Sequence, residues 1–202
     1  MVPALLAAIA LQAAPFTHTV SRVTRAELPY SWHRGCPVAP LVLRRLRLTY
    51  WGFDGRAHVG SLVLNRDAVA DVTHVFARLY AARFPIRRMR PIDAYRGNDE
   101  RSLAADNTAA FNCRYAIAPG PRRWSAHAYG EAIDVNPVEN PYLVGRRVHP
   151  RAGARYLDRS NVRPGMAVRE GVLVRAFAAV GWQWGGRWTG SPDYQHFSAT
   201  GG

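Results

Sequence analysis

The stretch "SAHAYGEAIDV", Ser125 to Val135, restricts the fold more than any other part of the chain. From Gly130 onward its period is two, which is the pattern of a strand: Ile133 and Val135 face one way, and Ala132, Asp134 and Asn136 the other. A strand that buries Ile133 and Val135 carries Asp134 into the interior on its second face. An ionised carboxylate there must be hydrogen-bonded, paired with a cation or bound to a metal, because burying it alone is too costly. Gly130 allows a tight turn before the strand, so His127, seven residues before Asp134, can fold back beside it.

The rest of the chain supplies partners for that strand. "RLRLTYWGF" and "RAHVGSLVLN" read as two strands joined at Asp54-Gly55, a strong hairpin signal. In "DAVADVTHVFARLYAARF" the residues Val69, Val72, Phe76, Leu79 and Tyr80 share one helical face, and Pro85 stops the helix. "PIRRMRPIDAY" continues in extended form. Residues 97–124, rich in Asn, Asp, Gly and Pro, are expected to form a long structured loop with a short strand near "AAFNCRYAI". A second irregular stretch covers about 141–165. "REGVLVRAFAAVGW" reads as a helix with Val172, Ala176, Phe177 and Val180 inward and Gly181 as its cap. "WQWGGRW" alternates like a strand. There is no internal repeat, and helices and strands do not alternate regularly. The expectation is an α+β fold, a small and mostly antiparallel sheet flanked by helices, in a single domain.

At 202 residues the chain suits one domain with a real core. The division expected is a signal-like segment and N-terminal arm over 1–29, then the main domain over 30–202. "MVPALLAAIALQAAP" resembles the apolar region of a secretory signal peptide, although no basic residue precedes it. No apolar run reaches the ~20 residues needed to span a bilayer. The net charge is +13 and every basic residue is arginine, which favours an anionic polymer nearby. The arginines are scattered, and no nucleic-acid-binding signature accompanies them, so no specific nucleic-acid partner is expected. Cys36 and Cys113 are too far apart for a CxxC zinc site. They form one disulfide in an exported protein, or stay two separate buried thiols.

The last third of the chain adds "PDYQHF", with Asp193 and His196 three residues apart. His127, Asp134 and His196 together are two imidazoles and a carboxylate, an ordinary donor set for catalytic Zn²⁺ with one position left for water. Asp193 would stand beside that water without binding the metal, as a base. His18, His33, His58, His74 and His149 read as structural. Trp182, Trp184 and Trp188 read as packing before they read as a ligand wall. Ser125 lies in no GxSxG elbow; its hydroxyl is expected to steady the loop, the metal surroundings or substrate. Tyr129 and Tyr194, beside the ligands, are candidate cavity walls and oxyanion donors. Neither HExxH nor HxxEH occurs.

"SAHAYGEAID" and "DYQH" resemble the paired motifs SxHxxGxAxD and (E/D)xxH of the M15 metallopeptidases, the family of D-alanyl-D-alanine carboxypeptidases and dipeptidases and of L-alanyl-D-glutamate endolysins. "DNTAAFNCR" at 106–114 is similar to the segment before the metal motif in the carboxypeptidase-like branch. The resemblance covers about 30–198 and implies His127, Asp134 and His196 as zinc ligands and Asp193 as general base, where many relatives carry glutamate. It also implies an arginine that polarises the scissile carbonyl. Arg96 in "DAYRGND" and Arg114 in "FNCR" both match such a position, with Arg114 favoured. The implied activity is hydrolysis of peptidoglycan stem peptides by a secreted or wall-associated monomer, carboxypeptidase-like. An L-alanyl-D-glutamate endopeptidase and a zinc-containing wall-binding module without turnover are the alternatives.

Overall fold

The structure, a computed structural model, describes residues 14–117 and 121–201; most of the signal-like segment lies outside them. The hairpin forms as read. β2 (Leu43–Trp51) and β3 (Ala57–Asn65) pair antiparallel from Leu43 opposite Asn65 to Trp51 opposite Ala57. Ahead of them β1 (His18–Arg22) adds to the other edge of β2, which makes a sheet of order β1-β2-β3.

Asn65 then turns the chain into a helix, its side chain accepting the Asp67 N–H. α1 (Val69–Ala81) buries Val72, Val75, Phe76 and Leu79 at helical spacing. It ends before Pro85, and Arg83 takes a left-handed φ of 52° to leave the helix. Residues 85–91 run extended as expected and bridge to Trp51 at Pro85 and to Thr108 at Met89.

The 97–124 stretch departs from the expected loop. Asn98 caps a short helix, α2 (Asp99–Ala104), by accepting the Arg101 N–H at 2.9 Å. Residues 109–115 form no extended strand; they make single bridges, Ala109 to Asp134 and Tyr115 to Trp124. Within 141–165 a small hairpin, β5 (Tyr142–Val144) with β6 (Arg147–His149), replaces irregular chain.

The second sheet has order β4-β8-β7, all antiparallel, from β4 (Ala132–Asp134), β7 (Gln183–Trp184) and β8 (His196–Ser198). The strand foreseen over "WQWGGRW" shortens to two residues, because Gly185–Arg187 turn as a 3₁₀ helix. α4 (Val172–Ala178) precedes it and ends toward Gly181 at a φ of 82°. Its inward face is wider than read, since Leu173 and Val174 are buried with Ala176 and Phe177, while Val172 and Val180 are only partly covered.

One core joins these parts. Leu46, Leu48, Leu62 and Leu64 from the first sheet meet α1, and α1 meets α4. Ile133, Val135 and Phe197 from the second sheet close that core, with the Phe177 and Phe197 rings stacked at 4.2 Å. Each such side chain contributes about 1.5–3 kcal/mol on burial. Ile133 and Phe197, both fully buried, therefore anchor the two strands whose other faces carry the candidate site. The result is α+β, as expected from the sequence.

Candidate metal centre

β4 and β8 bring the motifs together by register. Asp134 lies directly opposite His196 across the antiparallel pair. His127 arrives from α3 (Ala126–Tyr129), a single turn whose first N–H groups are capped by Ser125, its hydroxyl accepting from the His127 N–H at 3.3 Å. Gly130 closes that turn at a φ of 72°, and a Cβ there would stand 2.5 Å from the Asn65 backbone nitrogen. Only glycine lets α3 reverse so close to the end of β3.

Three atoms converge. His127 Nε2 is 3.2 Å from Asp134 Oδ1, His196 Nδ1 is 3.3 Å from the same oxygen, and the two ring nitrogens are 3.2 Å apart. Ligands of a tetrahedral ion at about 2.0–2.1 Å sit about 3.3–3.4 Å from one another, so this triangle has the edge of a zinc coordination face. His127 Nδ1 is 2.6 Å from the Ala110 carbonyl, a contact that places the ring proton on Nδ1 and turns the Nε2 lone pair toward the cluster. Burial alone would push the Asp134 carboxyl up, yet the His127 and His196 imidazoles hold it well below the usual carboxylate range. Two nitrogen lone pairs and a carboxylate meeting in a buried spot are a donor set for a divalent cation.

Asp193 sits three residues before His196, buried, with Oδ1 free of any hydrogen bond. Burial, and then the Asp134 charge, raise its carboxyl to about 7. The 3₁₀ turn after β7 packs against it through Gly185, where a Cβ would meet the Asp193 carbonyl oxygen at 2.8 Å and the His196 Cβ at 3.3 Å.

The two candidate arginines separate. Arg114 ion-pairs with Asp99 of α2 and lines a small cavity with His127 and Asp134. Arg96 is exposed at the end of a 3₁₀ turn and lines no part of that cavity. Tyr129 is 37% exposed on α3. Tyr194 packs against the core under the Arg159 guanidinium, 4.5 Å from its ring, and near Trp184.

Three side chains near the centre carry no motif signal. Tyr142 bridges to Asp193 in the backbone, and burial followed by the Asp193 charge raises its phenol. Trp188, half-buried, has its ring 5.2 Å from that of His196, a place at the site the packing reading did not give it. Asn136, at a φ of 46°, accepts from Arg87 N–H and donates to the Pro85 carbonyl, which pins the chain just after Asp134. An asparagine in a left-handed position beside proline was the available hint.

Cys36 and Cys113 are joined as a disulfide that ties the segment before β2 to the residue next to Arg114. Among the described residues no helix is long and apolar enough to cross a membrane.

Residues 119–199 match a model of the M15 peptidases described as D-alanyl-D-alanine carboxypeptidase. The match holds both metal-motif segments and bears out the M15 resemblance over that stretch, which supports a peptidase; residues 30–118, with Arg96 and the 106–114 segment that ends in Arg114, lie outside it. No curated protein and no solved structure matches the chain.

Proposed function

We propose that the chain is a zinc peptidase that removes the terminal D-alanine from peptidoglycan stem peptides. The observation that carries this reading is the triangle of His127, Asp134 and His196, with edges of 3.2–3.3 Å, and, three residues before His196 in the chain, the buried carboxylate of Asp193, whose Oδ1 has no hydrogen-bond partner.

Those three side chains would hold the ion. When bound, zinc supplies Lewis acidity that lowers the pKa of water to about 7 and polarises a carbonyl. Asp193 takes a proton from the attacking water and returns it to the leaving amine, and its burial beside the Asp134 charge, which raises its carboxyl, suits a base that must also act as acid. Arg114, braced by Asp99, presents its guanidinium to the anionic end of the substrate or to the oxygen on which charge develops. The Tyr142 hydroxyl, near both Asp193 and Arg114, is a second donor to that oxygen.

Export and a wall-associated location belong to the same proposal. The Cys36–Cys113 bridge suits an oxidising compartment, and a net charge of +13 suits acidic wall polymers. Digesting defined muropeptides with the zinc-loaded protein and reading products by mass spectrometry tests the activity. Release of free D-alanine is the expected result. A new D-glutamate amino terminus would move the activity to the endopeptidase, and intact peptides with full zinc occupancy would overturn the hydrolase.

A further inference from the structure

A cavity of about 810 Å³ opens between α2 and the β5–β6 hairpin. Both of its walls lead back to the metal centre. On one side Leu103 of α2 lines it and also lines the small cavity that holds His127, Asp134 and Arg114. On the other, His149 is the register partner of Tyr142, which bridges to Asp193.

Its chemistry is divided. Leu103, Val148 and Pro150 give an apolar floor, while Arg146, Arg147 and Arg151 stand exposed at the rim. None of these three arginines has an ion-pair partner among the described residues, and Glu100 is the only acid in the lining. Gly145, at a φ of 57°, makes the two-residue turn that lifts Arg146 beside Arg147. A peptide that carries apolar side chains and free carboxylates complements this lining.

We infer that this groove is the subsite for the carboxylate-bearing stretch of the substrate peptide away from the scissile bond. Arg146 and Arg147 pair with its carboxylates, and Leu103 and Val148 seat its methyl groups. The inference rests on the peptidase reading and deepens it. A charge-assisted pair of this kind is worth about tenfold in affinity, even after water screens an exposed arginine.

The test uses two synthetic stem pentapeptides ending in D-Ala-D-Ala, one with the internal D-glutamate α-carboxylate free and one with it amidated. Wild-type protein is expected to show a KM about tenfold lower for the free carboxylate. R146A/R147A brings that KM up to the value of the amide, and Arg151→Ala, on a separate segment, shifts it the same way. Equal KM values for the two peptides in the wild type, or a preference that survives both variants, would overturn the subsite. Calorimetric binding of the same peptides to chelator-treated protein keeps the two readings apart. If neither peptide is cleaved, the peptidase reading fails. A carboxylate preference in binding that R146A/R147A abolishes then still upholds the subsite, and its absence still sinks it.

Discussion

Asp134 Oδ1 and His196 Nδ1 lie 3.3 Å apart although 62 residues separate them, because β4 and β8 place the two residues directly opposite. The same register buries Ile133 and Phe197 on the core side, so the pair is held by packing and not by a loop. Removing one donor should leave the fold and empty the site. Asp134→Asn and His196→Ala are each expected to weaken zinc binding by more than the roughly 10–100-fold typical of losing an outer partner. Competition against a chromophoric chelator measures this, with circular dichroism as the check on folding.

Asp193 touches no other polar partner through Oδ1, so its replacement separates proton transfer from metal binding. Asp193→Asn should lower kcat by about 10²–10⁴-fold while zinc content stays at the wild-type level. Steady-state rates with metal analysis on the same sample provide the check. An unchanged kcat would remove Asp193 from the chemistry.

Tyr142, the first residue of β5, is buried and bridges to Asp193 in the backbone. Tyr142→Phe keeps the ring and deletes only the hydroxyl. The expected outcome is a fall in kcat of about 10²–10³-fold with little change in melting temperature. A loss of stability without a loss of rate would make the hydroxyl structural.

Glu139, which is no part of the candidate donor set, predicts a pH dependence of stability. Its carboxyl is fully buried next to Asp106, with Arg87 and the Tyr156 hydroxyl as the other groups facing it. Burial, and then the Asp106 carboxyl, push Glu139 up to about 8. A carboxyl raised in the fold binds its proton more tightly folded than unfolded, so its stabilisation is full below its unfolded pKa of about 4.5 and is lost as pH rises through about 8. Melting temperature should fall between those values, by about 2–4 °C for each kcal/mol lost. Glu139→Gln, which cannot ionise, should flatten that decline.

The Cys36–Cys113 bridge closes a sequence separation of 77 residues. Constraining a loop of that length is worth about 4.5 kcal/mol in the chain-entropy account, or about 9–18 °C in melting temperature for a chain of this size. The double variant Cys36→Ser, Cys113→Ser should show a drop of that order by calorimetry. Because Cys113 adjoins Arg114, it should also raise KM.

The parts of this molecule that the sequence made legible are those where a repeat or a motif acts locally. The alternation in "AIDV", the Asp54-Gly55 turn and the apolar stripe of Val72, Phe76 and Leu79 each fix their own element, and each element is there. The helix at Asp99–Ala104 was hidden because six residues make too short a period to detect, though Asn98 before Asp99 and Glu100 was a capping signal. Tyr142 carries no motif at all; its place beside Asp193 comes from a long-range backbone bridge. The separation of Arg114 from Arg96 likewise depends on the Asp99 ion pair, a tertiary contact.

Zinc titration into chelator-stripped protein, with hydrolysis of a D-Ala-D-Ala-terminated stem peptide followed in the same samples, decides whether His127, Asp134 and His196 hold the ion on which hydrolysis depends. Activity should rise in proportion to bound metal and level off at one ion per chain, with no activity and no tight site in the variant lacking both His127 and His196. Hydrolysis by the metal-free protein, or a tight zinc site that survives loss of both histidines, would contradict it.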